Sequence, residues 1–208
     1  MPLAVALGCP APDPSLKYER FNDDTADERA PPEPRLDMGV MDTMDTMDTM
    51  DTDSSGGWAC PDIRGVFLLA LETKIAPGLP LQFIVDVQTG YDLATGDGPV
   101  TLEIQPLSLD PSSTTEPREE VGEPYHVATE ATGCAFVVDL GETMVTGAAN
   151  PITGSDIAAA LSLHATIQSD DLWCGQVMDD VLSPITASLD GSTFAASRLA
   201  DRSERPLV

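Results

Sequence analysis

Apolar and polar residues alternate with a period of two along much of this chain. The clearest segment is IAAALSLHATIQ at 157–168, where apolar side chains occupy every second position. This alternation is typical of a β-strand with one buried face, because successive side chains point to opposite faces of a sheet. Six further segments have strand-like patterns: RGVFLLALET, LQFIVDVQ, PVTLEIQ, GCAFVVDL, LWCGQVMDDV and GSTFAASRL. Stretches rich in turn formers, such as APGLP and GYDLATGDGP, separate them.

These segments predict an all-β domain of about seven or eight antiparallel strands, and no segment has a convincing helical period. Short strands at regular spacing favour a single antiparallel β-sandwich or an up-and-down β-barrel. The pattern does not distinguish between these two architectures. A straight strand over 157–168 would extend about 40 Å at roughly 3.4 Å per residue, so we expect it to bend within a curved sheet.

The composition of the chain changes near residue 57. Residues 58–208 contain both tryptophans and four of the five phenylalanines, whereas the preceding residues contain seven of the 18 prolines. Only the second part has the large apolar side chains that a core requires. We therefore expect a β-domain at 58–208, preceded by a disordered, acidic linker at 10–57 that is rich in proline and aspartate and contains MDT repeats.

The chain is strongly acidic, with 35 acidic and 10 basic residues and a formal net charge of −25. Such a surface repels the phosphates of nucleic acids and the head groups of anionic lipids. We therefore expect no nucleic-acid partner, and membrane contact only through a covalent lipid anchor. The partner class that remains is an unknown protein or a component of the cell envelope.

The sequence carries no recognisable catalytic motif. There are only two histidines, His126 and His164, and both lie in strand-like segments. No G-x-S-x-G, S-x-x-K, H-E-x-x-H or C-x-x-C pattern occurs. These observations favour a binding or structural role over catalysis.

The first nine residues resemble the end of a bacterial lipoprotein signal. An apolar run leads to Ala6, Leu7, Gly8 and Cys9, which is similar to the lipobox that precedes a lipidated cysteine. The resemblance implies lipidation at Cys9, removal of the preceding residues, and a secreted or envelope location for the β-domain. No lysine or arginine precedes the apolar run, which leaves two alternatives. Either a basic segment precedes Met1, or the protein is cytoplasmic and Cys9 is an ordinary thiol.

Two residues of the β-domain resemble a lipocalin-type barrel. In that family the first strand carries Gly-x-Trp; here the corresponding stretch is IRGVF, with Phe67 in the tryptophan position, and the closing segment GSTFAASR contains Arg198. The resemblance implies that a small apolar ligand binds inside the barrel.

A repeat with a period of three lies in the predicted linker. MDTMDTMDTMDT occupies 41–52, and this period matches neither a helix nor a strand. One interpretation is a solvated spacer. The alternative is a site for Cu(I) or Ag(I), because M-x-x-M spacing resembles the methionine motifs of copper-handling proteins and thioether sulfur is a soft ligand. The candidate ligands are Met38, Met41, Met44, Met47 and Met50.

A second candidate metal site spans the junction between the linker and the β-domain. The segment DTDSSGGWACPD resembles an EF-hand loop, with Asp51, Asp53 and Ser55 at alternate positions and Asp62 at the twelfth. Aspartate replaces the usual final glutamate, and no amphipathic helix flanks the loop. The alternatives are a calcium site and a simple linker.

If Cys9 carries lipid, three cysteines remain in the domain. Our first choice for a disulfide is Cys60 with Cys174, because Cys60 precedes the first strand, Cys174 lies in the next-to-last strand, and these elements can be neighbours in a barrel or sandwich. Cys134 lies among apolar residues, which suits a buried free thiol. The alternative is that all three cysteines are reduced.

Overall fold

The structure is a computed structural model that describes residues 59–208. These residues form eleven β-strands and one short 3-10 turn at Gly147–Ala149, with no α-helix in the described range. The eight longer strands are β1 (Gly65–Glu72), β2 (Leu81–Thr89), β3 (Gly98–Leu109), β5 (Tyr125–Ala131), β6 (Ala135–Val145), β7 (Ile157–Ser169), β8 (Leu172–Met178) and β11 (Ser192–Arg198). The three short strands are β4 (Pro117–Glu120), β9 (Asp180–Ser183) and β10 (Ala187–Ser188). The predicted all-β fold is therefore confirmed.

The longer strands follow one another around a single antiparallel sheet in the order β5-β3-β2-β1-β11-β8-β7-β6. The first and last strands of the described residues, β1 and β11, pair with each other, with Phe67 opposite Arg198. Between β5 and β6 the described residues form only an isolated bridge, Thr132 with Ala135, so the sheet stays open there. This sequential order corresponds to the up-and-down arrangement among the predicted alternatives.

The inward faces of these strands meet in one hydrophobic core. At its centre lies Trp173, which is fully buried. Its ring contacts Phe67, Phe136 and Phe194 at centroid distances of 6.0, 5.5 and 5.6 Å. Aromatic pairs in such tilted or edge-on arrangements add about 0.5–1.5 kcal/mol each beyond the burial of their area. The Trp173 side chain on β8 thus contacts aromatic residues of β1, β6 and β11.

The C-terminal segment after β11 covers part of the outer face of the sheet. A small cluster of buried leucine and isoleucine side chains lies there, and Leu199 packs against it. Further along, the Arg202 guanidinium donates to the carboxylates of Asp86 and Glu120. Arg118 on β4 donates to the backbone oxygens of Arg205 and Pro206, which holds the end of the chain against the sheet.

The predicted pairing of Cys60 with Cys174 is wrong. Cys60 forms a disulfide with Cys134 instead, with 5.7 Å between their Cα atoms. Cys134 lies in the turn between β5 and β6, beside the β2–β3 loop. Both cysteines are hydrogen-bonded to this loop: the N–H of Cys134 donates to the backbone oxygen of Gly96, and the N–H of Cys60 donates to that of Leu93. The prediction that Cys134 is a free thiol is wrong for the same reason. Cys174, on β8, is also disulfide-bonded.

The predictions for residues 1–9 and 10–57 lie outside the described residues, as does the lipidation predicted at Cys9. Within 59–208, no helix is long and apolar enough to cross a membrane.

Candidate apolar binding cavity

An apolar cavity of about 220 Å³ lies at the end of the sheet where β1 stops and β2 begins. We call this end the cavity end. Four connections form its walls together with the strands: β1 to β2, β6 to β7, β9 to β10, and β10 to β11. The lining residues are Leu71, Thr73, Ile75, Leu81, Phe83, Val145, Asn150, Ile152, Thr153, Ile157, Ala159, Leu161, Val181, Pro184, Ile185 and Leu189.

The three polar side chains in the lining are already engaged with their own loops. The amide nitrogen of Asn150 donates to the hydroxyl of Thr153 at 2.8 Å and to the oxygen of Ser155 at 2.7 Å, and its amide oxygen accepts from the N–H of Ile152. The hydroxyl of Thr73 accepts from the N–H of Ala76. A bound molecule would therefore meet mainly apolar surface and would be selected by size and shape.

The mouth and the floor of the cavity are both apolar. At the mouth, Ile75 and Ile185 are 42% and 63% exposed. The floor consists of Leu71, Phe83, Val145 and Leu161, which also line a smaller void of about 10 Å³ deeper in the core. The cavity thus extends from exposed isoleucines to the core itself.

Local sequence explains why space is left at this end. On β7, Ala159 faces inward between Ile157 and Leu161, so a small side chain stands where its neighbours are large. The partner of β7 also changes near this point, from β8 to β9, with a register irregularity at Ala158 and Ala159. A small residue and a change of partner together reduce the filling of the core.

The opposite end of the sheet, which we call the closed end, is sealed by Arg198. Its guanidinium lies 4.8 Å from the centroid of the Phe67 ring and donates to the backbone oxygens of Arg64 and Asp62 at 2.6 and 2.9 Å. Gly65 has a φ of 137°, which strains any other residue, and a Cβ atom there would lie 2.5 Å from this guanidinium and displace it. The two residues that resemble a lipocalin-type barrel, Phe67 and Arg198, are therefore in contact.

A larger and more open polar cleft of about 710 Å³ lies on the outer face of β1, β2, β3 and β5. It is lined in part by Asp86, Glu103 and His126, and the imidazole Nδ1 of His126 lies 3.9 Å from the Glu103 carboxylate. The hydrogen bond from Arg202 lowers the pKa of the neighbouring Glu120 carboxyl below its ordinary value. No group of three or more histidine, cysteine, aspartate or glutamate side chains in residues 59–208 is arranged to hold a metal ion.

The metal sites predicted from the sequence lie mostly outside the described residues. This applies to the five methionines of the repeat and to Asp51, Asp53 and Ser55. Asp62 is described, and its carboxylate accepts from the backbone N–H and the guanidinium of Arg64. The hydrogen bond from the Arg64 side chain lowers the pKa of Asp62. The calcium and copper sites therefore stay predictions.

The resemblance to a lipocalin-type barrel implied an internal site for a small apolar ligand, but the position and lining of the cavity were not predicted from the sequence. Leu81, Phe83, Ile157, Ala159 and Leu161 were correctly placed on inward faces, but alternation does not report whether a core is filled. The sequence offered no distinct signal, because large aliphatic residues also occur in turn-rich segments without lining the cavity, such as Leu79 and Leu93.

No protein-family model, curated protein or solved structure matches this chain.

Proposed function

We propose that the β-domain is a non-catalytic binding module that takes a small aliphatic molecule in the cavity at the cavity end. The observation that carries the proposal is a cavity of about 220 Å³ with exposed isoleucines at its mouth, whose polar lining groups are engaged with their own loops. Phe83 is the only aromatic residue in the lining. Stacking of an aromatic ligand therefore has little support, and an alkyl group is the better fit.

The size of the cavity limits the ligand. A cavity of about 150 Å³ lined by aliphatic and aromatic side chains holds one benzene molecule, so in proportion this cavity holds about nine non-hydrogen atoms. A ligand of that size reaches a dissociation constant in the range of about 10 μM to 1 mM when each atom contributes about 0.5–0.75 kcal/mol. The module is thus expected to bind medium-length alkyl compounds with modest affinity.

The test is titration of the purified chain with straight-chain alcohols from 1-butanol to 1-dodecanol by isothermal titration calorimetry. We expect affinity to rise with chain length and to level off near 1-octanol, which has nine non-hydrogen atoms. Ala159→Leu places three carbon atoms in this cavity and is expected to weaken 1-octanol binding at least tenfold, because the remaining space no longer holds nine non-hydrogen atoms. Ala165→Leu is the matched control, because Ala165 faces the core on the same strand but does not line the cavity.

Two results would contradict the proposal. One is no detectable heat with any alcohol at millimolar concentration. The other is equal weakening by Ala159→Leu and Ala165→Leu, which would place the binding elsewhere.

The proposal also includes the cellular location of the protein, which is a cell envelope or the extracellular space. The Cys60–Cys134 disulfide supports an oxidising compartment, such as a cell envelope or the extracellular space. Anchoring through a lipid on Cys9 would hold the module at a membrane surface, where molecules with alkyl chains are abundant. Fractionation of cells that produce the protein, with a specific antibody, tests the location.

A further inference from the structure

We propose that the loops around the mouth of the cavity dock onto a bilayer of zwitterionic lipids, with Ile75 and Ile185 inserted among the lipid chains. The inference rests on the proposed function, because the bilayer would be the source of the alkyl group that the cavity takes. We call the docking surface the mouth rim and define it as residues 75–80, 146–155 and 184–189, which follow β1, β6 and β9.

The mouth rim contains no charged side chain, although the chain has a formal net charge of −25. None of its residues is aspartate, glutamate, lysine or arginine, and the same holds for the residues that line the cavity. At the closed end, by contrast, the β2–β3 connection contains Asp92 and Asp97, and the β7–β8 connection contains Asp170 and Asp171. Moving an ionised side chain from water to an apolar medium is costly. The mouth rim can therefore approach lipid chains without this cost, which the closed end would incur.

Exposed apolar side chains are grouped at this rim. Ile75 and Ile185 belong to different loops and both lie at the mouth. Met144 and Leu182 are also exposed, and each is next in the chain to a residue of the lining. Single exposed apolar residues are common on soluble proteins, but a group of them around an apolar opening is typical of an interaction surface. Membrane binding of such a surface increases with the apolar area that it buries.

The hydrogen bonding of the rim favours a lipid surface over a protein partner. Protein interfaces contain about one hydrogen bond per 100–200 Å² of buried area. Here the side chains of Asn150, Thr153 and Ser188 hydrogen-bond to neighbouring residues of their own segments. Lipid chains need no such partners, and they fit an opening that leads to an apolar cavity of about 220 Å³.

The residues that border the mouth rim determine which head groups fit. Asp156 and Asp190 border it, and Lys74 is the one bordering cation in the described residues. The β3–β4 connection adds two acidic residues, and the N–H of Ser112 in this connection donates to the oxygen of Pro151 in the rim. Anionic head groups repel such an acidic border. Repulsion from anionic lipids, which led us to expect membrane contact only through an anchor, is absent on zwitterionic lipids.

The first experiment measures binding of the unacylated full-length chain to sucrose-loaded phosphatidylcholine vesicles by sedimentation. Ile75→Ser and Leu93→Ser form a matched pair, because the two side chains are 42% and 45% exposed and lie at opposite ends of the sheet. We expect Ile75→Ser to lower the partition coefficient about threefold or more, and its combination with Ile185→Ser to lower it about tenfold or more, while Leu93→Ser leaves it unchanged. No binding by the wild type, or an equal loss in the Ile75 and Leu93 variants, would overturn the proposal.

The charge of the lipid provides a second measurement. When the vesicles contain phosphatidylglycerol, binding should weaken at low salt and recover as salt screens the acidic residues around the rim. Stronger binding to the anionic vesicles would overturn the proposal, because it would require a basic docking surface elsewhere on the chain.

Insertion of the rim is measured with Ile185→Trp, and Leu93→Trp is its control. In vesicles of brominated phosphatidylcholine, we expect quenching of the added indole fluorescence in the Ile185 variant alone, after subtraction of the wild-type signal. Equal quenching in both variants would show that the domain has no preferred end at the bilayer and would overturn the assignment of the mouth rim.

The wild type separates this proposal from the proposed function, because titration with 1-octanol tests the cavity and vesicle sedimentation tests the docking. Vesicle binding without binding of 1-octanol would overturn the proposed function and leave the docking surface standing. Binding of 1-octanol without vesicle binding would overturn the docking alone. A wild-type dimer in the absence of vesicles that Ile75→Ser dissociates would also overturn it and would assign the mouth rim to a second copy of the chain.

Discussion

Ala159→Leu is expected to stabilise the domain, which is opposite to the usual effect of enlarging a buried side chain. The substitution adds three carbon atoms beside a cavity of about 220 Å³. Burial contributes about 0.8 kcal/mol for each added carbon, or about 2.4 kcal/mol in all. Fixing the leucine side chain costs about 0.5–1 kcal/mol. The free energy of unfolding should therefore rise by about 1.5 kcal/mol.

Ala165→Leu provides the comparison, because it makes the same chemical change on the same face of β7. Ala165 is paired with Phe136 and Gly175 beside the Trp173 cluster, where the core is filled. Extra carbon atoms in a filled core cost about 1–3 kcal/mol. Urea denaturation of both variants, followed by the fluorescence of the buried tryptophan, measures the difference. Equal destabilisation by the two substitutions would refute the existence of usable space at Ala159.

Three further predictions concern other parts of the chain. Arg202→Gln should lower the free energy of unfolding by about 0.2–1 kcal/mol at pH 7. This difference from the wild type should shrink as the pH falls through the lowered pKa of Glu120, because the protonated carboxyl no longer attracts the guanidinium. Urea denaturation of both proteins at pH 7 and pH 3 tests this expectation. Replacing Cys60 and Cys134 together by serine should cost about 4–5 kcal/mol, since the disulfide closes a loop over a sequence separation of 74, and calorimetric melting measures the loss. Intact mass spectrometry should find diacylated Cys9 in the membrane fraction if the lipid anchor exists, whereas a Cys9 found in a disulfide would exclude the anchor, because one sulfur cannot form both bonds.

The faces of the main strands could be predicted because they depend on local periodicity. Leu81, Phe83, Val85 and Val87 alternate in the sequence, and all four are at most 5% exposed in the structure. The strand predicted at 157–168 is observed at Ile157–Ser169. A strand with one buried face shows this alternation of apolar and polar residues, regardless of which strands lie beside it. The sequence therefore predicts strands and core positions without predicting topology.

The features that could not be predicted depend on contacts between distant segments. Cys134 follows the apolar alternation of β6, yet the structure places it in the preceding turn, where the β2–β3 loop brings Cys60 close. β5 is difficult to recognise because its alternation is weak. Since it has no registered partner on the β6 side, its inward positions Tyr125, Val127 and Thr129 stay half-buried and need not be strongly apolar.

Different contacts stabilise the two ends of the sheet, and we expect a bound ligand to affect mainly the cavity end. At the closed end, the Arg198 guanidinium joins segments far apart in the sequence, and the Cys60–Cys134 disulfide adds a covalent link. At the cavity end, the polar side chains of the lining bond within their own loops, and the long-range hydrogen bonds are made by neighbouring residues: the N–H of Lys74 donates to the Ser192 hydroxyl, and the N–H of Ser112 donates to the oxygen of Pro151. A bound alkyl chain would add apolar contacts to these loops. Its stabilisation of the folded state should therefore appear mainly as slower hydrogen exchange in the loops of the cavity end, with little change around Arg198.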